Sequence, residues 1–141
     1  RLPNQLLSAA EYTLNTDLKK TFNHEAVVEK LRRLIEVIKR WSINVDTTTI
    51  GYIASSWVHS VMEKLNDQPE HIRLFELVKD TLEALTPLCL QLNLWKAQNI
   101  YFSIRKNHFA EMKKKAETGD SFSASWVEVF SKLGYYLHVK I

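Results

Sequence analysis

Between Asn93 and Met112 the apolar side chains do not keep to a stripe. Placed on a helix of about 100° per residue, they cover more than half the circumference. Ile100, Ile104, Ala97, Tyr101, Leu94, Met112, Phe109, Phe102 and Trp95 follow one another around that arc. Lys106, Asn99, Ala110, Ser103, Lys96 and Asn107 take the remaining strip. A helix lying on a surface needs a narrower apolar face, so this one is expected to be central and packed on several sides. Its span is set near residues 93–117, where Asn93 is expected to cap it and Gly119 to follow its end.

The rest of the chain supports helices around it. Only 3 Gly and 3 Pro occur among 141 residues, too few for the turns an all-β fold requires. Pro3 suits the first turn of a helix running to about Asn23, with Leu7, Ala10, Leu14, Leu18 and Phe22 on one face. A second helix, roughly Glu25 to Ser42, turns Val27, Val28, Leu31, Leu34, Ile35, Ile38 and Trp41 inward. Its wet side carries Glu29 to Arg33 and Glu36 to Arg40 at the i,i+4 spacing of helical ion pairs. Asp46 is expected to cap a third helix, in which Gly51 permits another backbone to come close. Pro69 is expected in the first turn of a fourth helix, and Pro87 ends it. Leu88 to Leu92 then alternates as an extended, buried connection. Ser121 or Ser123 opens a sixth helix carrying Trp126, Val129, Phe130, Leu133 and Leu137, with Gly134 as an early stop. The expected fold is all-α: a single-domain bundle of five to six helices spanning residues 1–141, with no internal domain boundary.

Three polar residues interrupt the apolar arc: Gln98, Arg105 and His108. Gln98, Tyr101 and Arg105 stand at i, i+3 and i+7, along one edge. Buried polar groups need partners, since an unpaired one costs about 1–3 kcal/mol. One reading is an internal network that fixes helix register. The other is a groove lined by Trp95, Gln98, Tyr101 and Arg105 that meets a ligand or a neighbouring domain. Of the four tryptophans, Trp41, Trp57 and Trp126 read as core, and Trp95 stands at the margin of its arc.

Catalytic signatures are missing. There is no glycine-rich phosphate loop, no Gly-x-Ser-x-Gly and no His-Glu-x-x-His. None of the 5 His follows a Glu at the spacing of a bundle di-iron site, so no metal and no cofactor are implied. A glycosidase needs two positioned carboxylates, and only Asp17 and Glu111 stand near an apolar face. Cys89 lies in an apolar run beside Pro87 and reads as a buried, inert thiol. A lone cysteine and the lack of a signal segment fit a reducing, cytoplasmic setting, and no window is apolar enough to span a membrane. With 19 basic and 16 acidic residues interleaved, the +3 net charge argues little for nucleic acid, and Arg105, Lys106 and His108 match no nucleic-acid module. The chain opens at Arg1 without an initiator Met and reads as a piece of a larger or processed protein.

The segment Leu92-Asn-Leu-Trp-Lys-Ala-Gln-Asn-Ile-Tyr-Phe102 resembles one in the helical C-terminal region of glycoside hydrolase family 57 proteins, of the α-amylase and α-mannosidase-like kind. Ala9 to Leu18 is similar to the helix that precedes it there, and Trp126 to Gly134 to the closing helix. The resemblance implies a parent enzyme acting on α-glucan or a related polysaccharide, with its catalytic pair on an N-terminal barrel. It would make this chain a non-catalytic accessory domain that packs on that barrel. Trp95, Gln98, Tyr101 and Arg105 would then dock the barrel or shape its groove for an oligosaccharide. The reading that competes with it is a free-standing helical module that binds a partner protein.

Overall fold

The computed structural model describes residues 3–139, and the fold is all-α. The helices are α1 (Asn4–Thr21), α2 (Val27–Trp41), α3 (Thr47–Asp67), α4 (Ile72–Leu85), α5 (95–117) and α6 (Ser121–Tyr136). Within α5, Trp95–Ile104 and Ala110–Glu117 are α-helical, and the turn between them, Arg105–Phe109, is wound as a π-helix. No strand occurs among the described residues.

Contacts gather the chain into two compact units. The first holds the residues up to Trp57 together with Glu83–Asn93, and the second holds Val58–Leu82 and the residues from Leu94 on. In the first, Leu18, Leu31, Ile35, Ile38, Ile50 and Ala54 form the buried centre, against which Leu7, Leu14, Ile53 and Trp57 pack. These are the inward faces that the 3.6-residue period assigns to α1, α2 and α3. The second buries Phe75, Val78, Tyr101, Ile104, Trp126, Phe130 and Leu133.

Helix ends follow local chemistry. Asp46 caps α3: its side-chain oxygen accepts the Thr49 N–H at 3.3 Å. Asn15 fastens the same turn from α1, accepting the Asp46 N–H at 2.6 Å and donating to the Asn44 carbonyl at 2.9 Å. Three helices end in a similar way, with a left-handed residue at the cap or just after it. Ser42 (φ 53°), Gly119 (φ 99°) and His138 (φ 61°) hold that place. The next N–H, from Ile43, Asp120 or Val139, reaches back to the carbonyl of Ile38, Lys115 or Gly134. Gly119 thus ends α5 as its sequence position predicts. Gly51 lies inside α3, and a Cβ there would stand 3.3 Å from the Gln91 carbonyl oxygen, the close backbone approach expected of it.

Several expectations are corrected. Pro69 does not open α4: a turn closed by His71 N–H to the Gln68 carbonyl precedes the helix, and His71 Nδ1 accepts the Leu74 N–H at 3.3 Å as its cap. Leu94, not Asn93, precedes the first turn of α5, because the Asn93 N–H is held by the Ser55 hydroxyl at 2.9 Å. Asp120 rather than a serine stands before α6, with Ser123 donating to its carboxylate at 2.6 Å. Gly134 does not stop α6, which continues to Tyr136. Of the tail 135–141, residues 140 and 141 lie outside the described residues. Trp41 is exposed, because the Ser42 turn swings Ile43 inward to the place beside Ile38. Cys89 is exposed rather than buried. A short 3₁₀ turn, Thr86–Leu88, leaves Cys89 left-handed; Leu88, Leu90 and Leu92 then pack on the core while Cys89 and Gln91 point away.

Candidate functional site

The four residues singled out on α5 have different surroundings. Gln98 and Tyr101 point at α6. The Gln98 Nε2 donates to the Leu137 carbonyl at 2.7 Å, meeting one of the carbonyls left open where α6 ends. The Tyr101 hydroxyl donates to the Phe130 carbonyl at 2.8 Å, and the tyrosine is fully buried. Desolvation holds the phenol well above its ordinary range, with the nearby Arg105 charge opposing weakly. Both side chains therefore serve as internal hydrogen-bond donors, the network use of a polar edge.

The aromatic rings behind them explain why that edge is so tightly held. Phe130 lies between Tyr101 and Trp126, with ring centroids at 4.1 Å and 4.7 Å and planes within 8° of parallel. Phe75 meets both Phe130 and Trp126 edge-on at 5.7 Å. The Trp126 indole N–H donates to the Pro69 carbonyl at 2.7 Å, so the turn before α4 is tied to α6. Phe109, in the π-wound turn of α5, also reaches Phe130, at 5.7 Å. Arg105 and His108 are half-buried along the same turn. A π turn carries no compositional mark, and the sequence pattern reads straight through it.

Trp95 stands apart. It is 66% exposed, and Phe102, two turns further along α5, is 48% exposed. Residues seven apart share a helix face, and Asn99 and Lys106, also exposed, complete the stripe. The arc of α5 therefore buries its middle and leaves one margin in water, so α5 is not packed all round. Phe102 is the residue that sequence reasoning misses as a surface group, although its spacing from Trp95 and the polar residues between them carry the signal. Large apolar groups aligned on one face mark interaction surfaces more often than isolated ones do.

The other groups with catalytic or metal-binding chemistry are solvated or engaged locally. Asp17 and Glu111 are both exposed, and Glu111 pairs with Lys115 at 3.2 Å. His108 and His71 line an open cleft of about 460 Å³ with Gln68, Pro69 and Glu70, and His71 is committed there to capping α4. Among the described residues no group of three or more His, Cys, Asp or Glu side chains comes together as a metal site. No helix among them is long and apolar enough to cross a membrane. No protein-family model, curated protein or solved structure matches the chain.

Proposed function

We propose that this chain is a non-catalytic helical docking domain whose contact face is the Trp95–Asn99–Phe102–Lys106 stripe of α5. One observation carries the reading: Trp95 and Phe102 at the margin of α5 are 66% and 48% exposed, while Gln98 and Tyr101 beside them are hydrogen-bonded internally. A mixed stripe of aromatic and polar side chains has the composition of a protein interface, in which Trp and Phe supply most of the energy. Gln98 and Tyr101 contribute by holding α5 in register against α6 rather than by touching a ligand.

The partner we propose is the catalytic barrel of a family 57-like glycoside hydrolase acting on α-glucan or a related polysaccharide. The support is the resemblance of the segment from Leu92 to Phe102, which contains both exposed aromatics. The chemistry of hydrolysis would belong to the barrel, since Asp17 and Glu111 are both solvated. The same stripe suits a free-standing interaction module, and its polar spacers Asn99 and Lys106 favour an interface that also exists apart from its partner.

The test is to titrate a separately produced family 57 barrel into this protein and follow tryptophan fluorescence. Saturable binding that Trp95→Ala with Phe102→Ala abolishes supports docking. No binding to the barrel, with capture of a different protein through the same two residues, shifts the conclusion to the interaction module. Calorimetry with maltooligosaccharides addresses the sugar directly: heat lost in Trp95→Ala would place an oligosaccharide on this face.

A further inference from the structure

The C-terminal end of α1, the following connection and the first half of α2 enclose an open cleft of about 380 Å³. Lys20, His24, Lys30 and Arg33 line it, together with Asp17 and Thr21. Its size falls within the range of small-molecule sites, about 300–1,000 Å³.

Ion pairs hold several of the other cations of the chain. Lys19 pairs with Asp46 at 3.2 Å, Arg40 with Glu36 at 2.9 Å and Lys132 with Glu128 at 2.9 Å. Lys20, Lys30 and Arg33 form no ion pair with any described residue. Arg33 is the telling case. Glu29 stands four residues before it, the spacing that joins Glu36 to Arg40, and the expected Glu29–Arg33 pair does not form. Arg33 lines the cleft instead. Cations converging on a concave surface focus their field there, and a guanidinium fork matches a phosphate with two parallel hydrogen bonds.

Two acceptors share the space. The Thr21 hydroxyl gives its proton to the Asp17 carbonyl at 2.7 Å, so its oxygen can only accept from a ligand. The Asp17 carboxylate is likewise an acceptor, and it would repel a bare anion. A ligand that satisfies both ends carries a phosphate for the cations and hydroxyl donors for Thr21 and Asp17. We propose that this cleft binds a small phosphorylated sugar or polyol, with Arg33, Lys30 and Lys20 on the phosphate and Asp17 and Thr21 on the hydroxyls. The site does not involve α5 and does not rest on the docking reading, so either can fail without the other.

The test is an amide-resolved NMR titration of the full 141-residue chain with glucose 6-phosphate, inorganic phosphate and glucose. The expected result is saturable shifts confined to residues 17–34 with glucose 6-phosphate, weaker ones with phosphate and none with glucose. Lys30→Gln with Arg33→Gln should weaken glucose 6-phosphate roughly tenfold, since two charge-assisted contacts are lost at a solvated site. Lys113→Gln with Lys114→Gln should change nothing, and retained dispersion of the spectra reports that each variant folds. Asp17→Asn should tighten inorganic phosphate and weaken glucose 6-phosphate. The proposal is overturned by any of four outcomes: no saturable shift at millimolar ligand, phosphate binding as tightly as glucose 6-phosphate, Asp17→Asn tightening both, or a single-stranded oligonucleotide binding the same amides more tightly.

Discussion

The Tyr101 hydroxyl donates to the Phe130 carbonyl at 2.8 Å, and the same two residues stack ring on ring with centroids 4.1 Å apart. One residue of α5 is thus held to one residue of α6 by a polar and an apolar contact at once. Tyr101→Phe keeps the ring and removes only the donor. It should cost about 1 kcal/mol, the usual net worth of a neutral hydrogen bond. The pH dependence has a definite sign. Burial raises the phenol above its unfolded value near 10, so the stabilisation is complete below about pH 10 and declines as pH rises further. Urea midpoints measured from neutral pH to about pH 11 should fall more steeply for the wild type than for Tyr101→Phe.

Left-handed residues give a second prediction. Ser42 and His138 adopt φ 53° and 61° at positions where their neighbours' hydrogen bonds demand that conformation. A side chain there costs about 1–2 kcal/mol, and glycine escapes it at the expense of greater freedom in the unfolded chain, about 0.5–1 kcal/mol. Ser42→Gly and His138→Gly should each stabilise by roughly 0.5–1 kcal/mol, and Gly119→Ala should destabilise by a similar amount. Chemical denaturation with unchanged slope is the measurement.

Much of the fold can be read from periodicity, because burial of a helix face is a local pattern. Leu18, Leu31, Ile35 and Phe130 are buried where their spacing puts them. Some misses depend on a partner elsewhere in the chain, and others on a local turn or alternation. Asn93 looks like a cap, but its N–H is held by Ser55, 38 residues away. Trp41 carries the right spacing, and the Ser42 turn gives its place to Ile43. Cys89 sits in an apolar run whose alternation faces it outward. The polar edge of α5 is legible as far as Gln98 and Tyr101 needing partners, whereas only the packed chain shows that Leu137 and Phe130 supply them. Arg33 is assigned to a solvated face by its spacing from Glu29, and only the cleft beside α1 reveals the alternative.

Asp46 tests a different kind of contact. Hydrogen bonds from Thr49 and then from Lys19 hold its carboxyl below the ordinary range. A depressed carboxyl adds stability above its unfolded pKa and loses it as pH falls through the folded value, so the window lies below about pH 4. Asp46→Asn keeps an acceptor for the Thr49 N–H and removes the charge facing Lys19. Its unfolding midpoint should therefore change less between neutral and acid pH than that of the wild type. Raising the salt concentration at neutral pH should narrow the difference between the two proteins, since the Lys19 pair is solvated.

Two tryptophans separate packing from contact with a partner. Trp126 is 1% exposed, stacked on Phe130 and hydrogen-bonded to Pro69, whereas Trp95 is 66% exposed on the α5 stripe. Trp126→Ala should cost about 3–5 kcal/mol, a large part of the roughly 5–15 kcal/mol that keeps a domain folded. Trp95→Ala, and Phe102→Ala on the same stripe, should stay within about 1 kcal/mol of the wild type, since a large part of each side chain remains in water. A docking role adds the opposite asymmetry in binding: Trp95→Ala loses the partner while its urea midpoint holds. Equilibrium unfolding and binding measured on the same samples decide the matter. A large stability loss in Trp95→Ala would mean that the exposed margin of α5 is structural, and the docking face would have to be sought elsewhere.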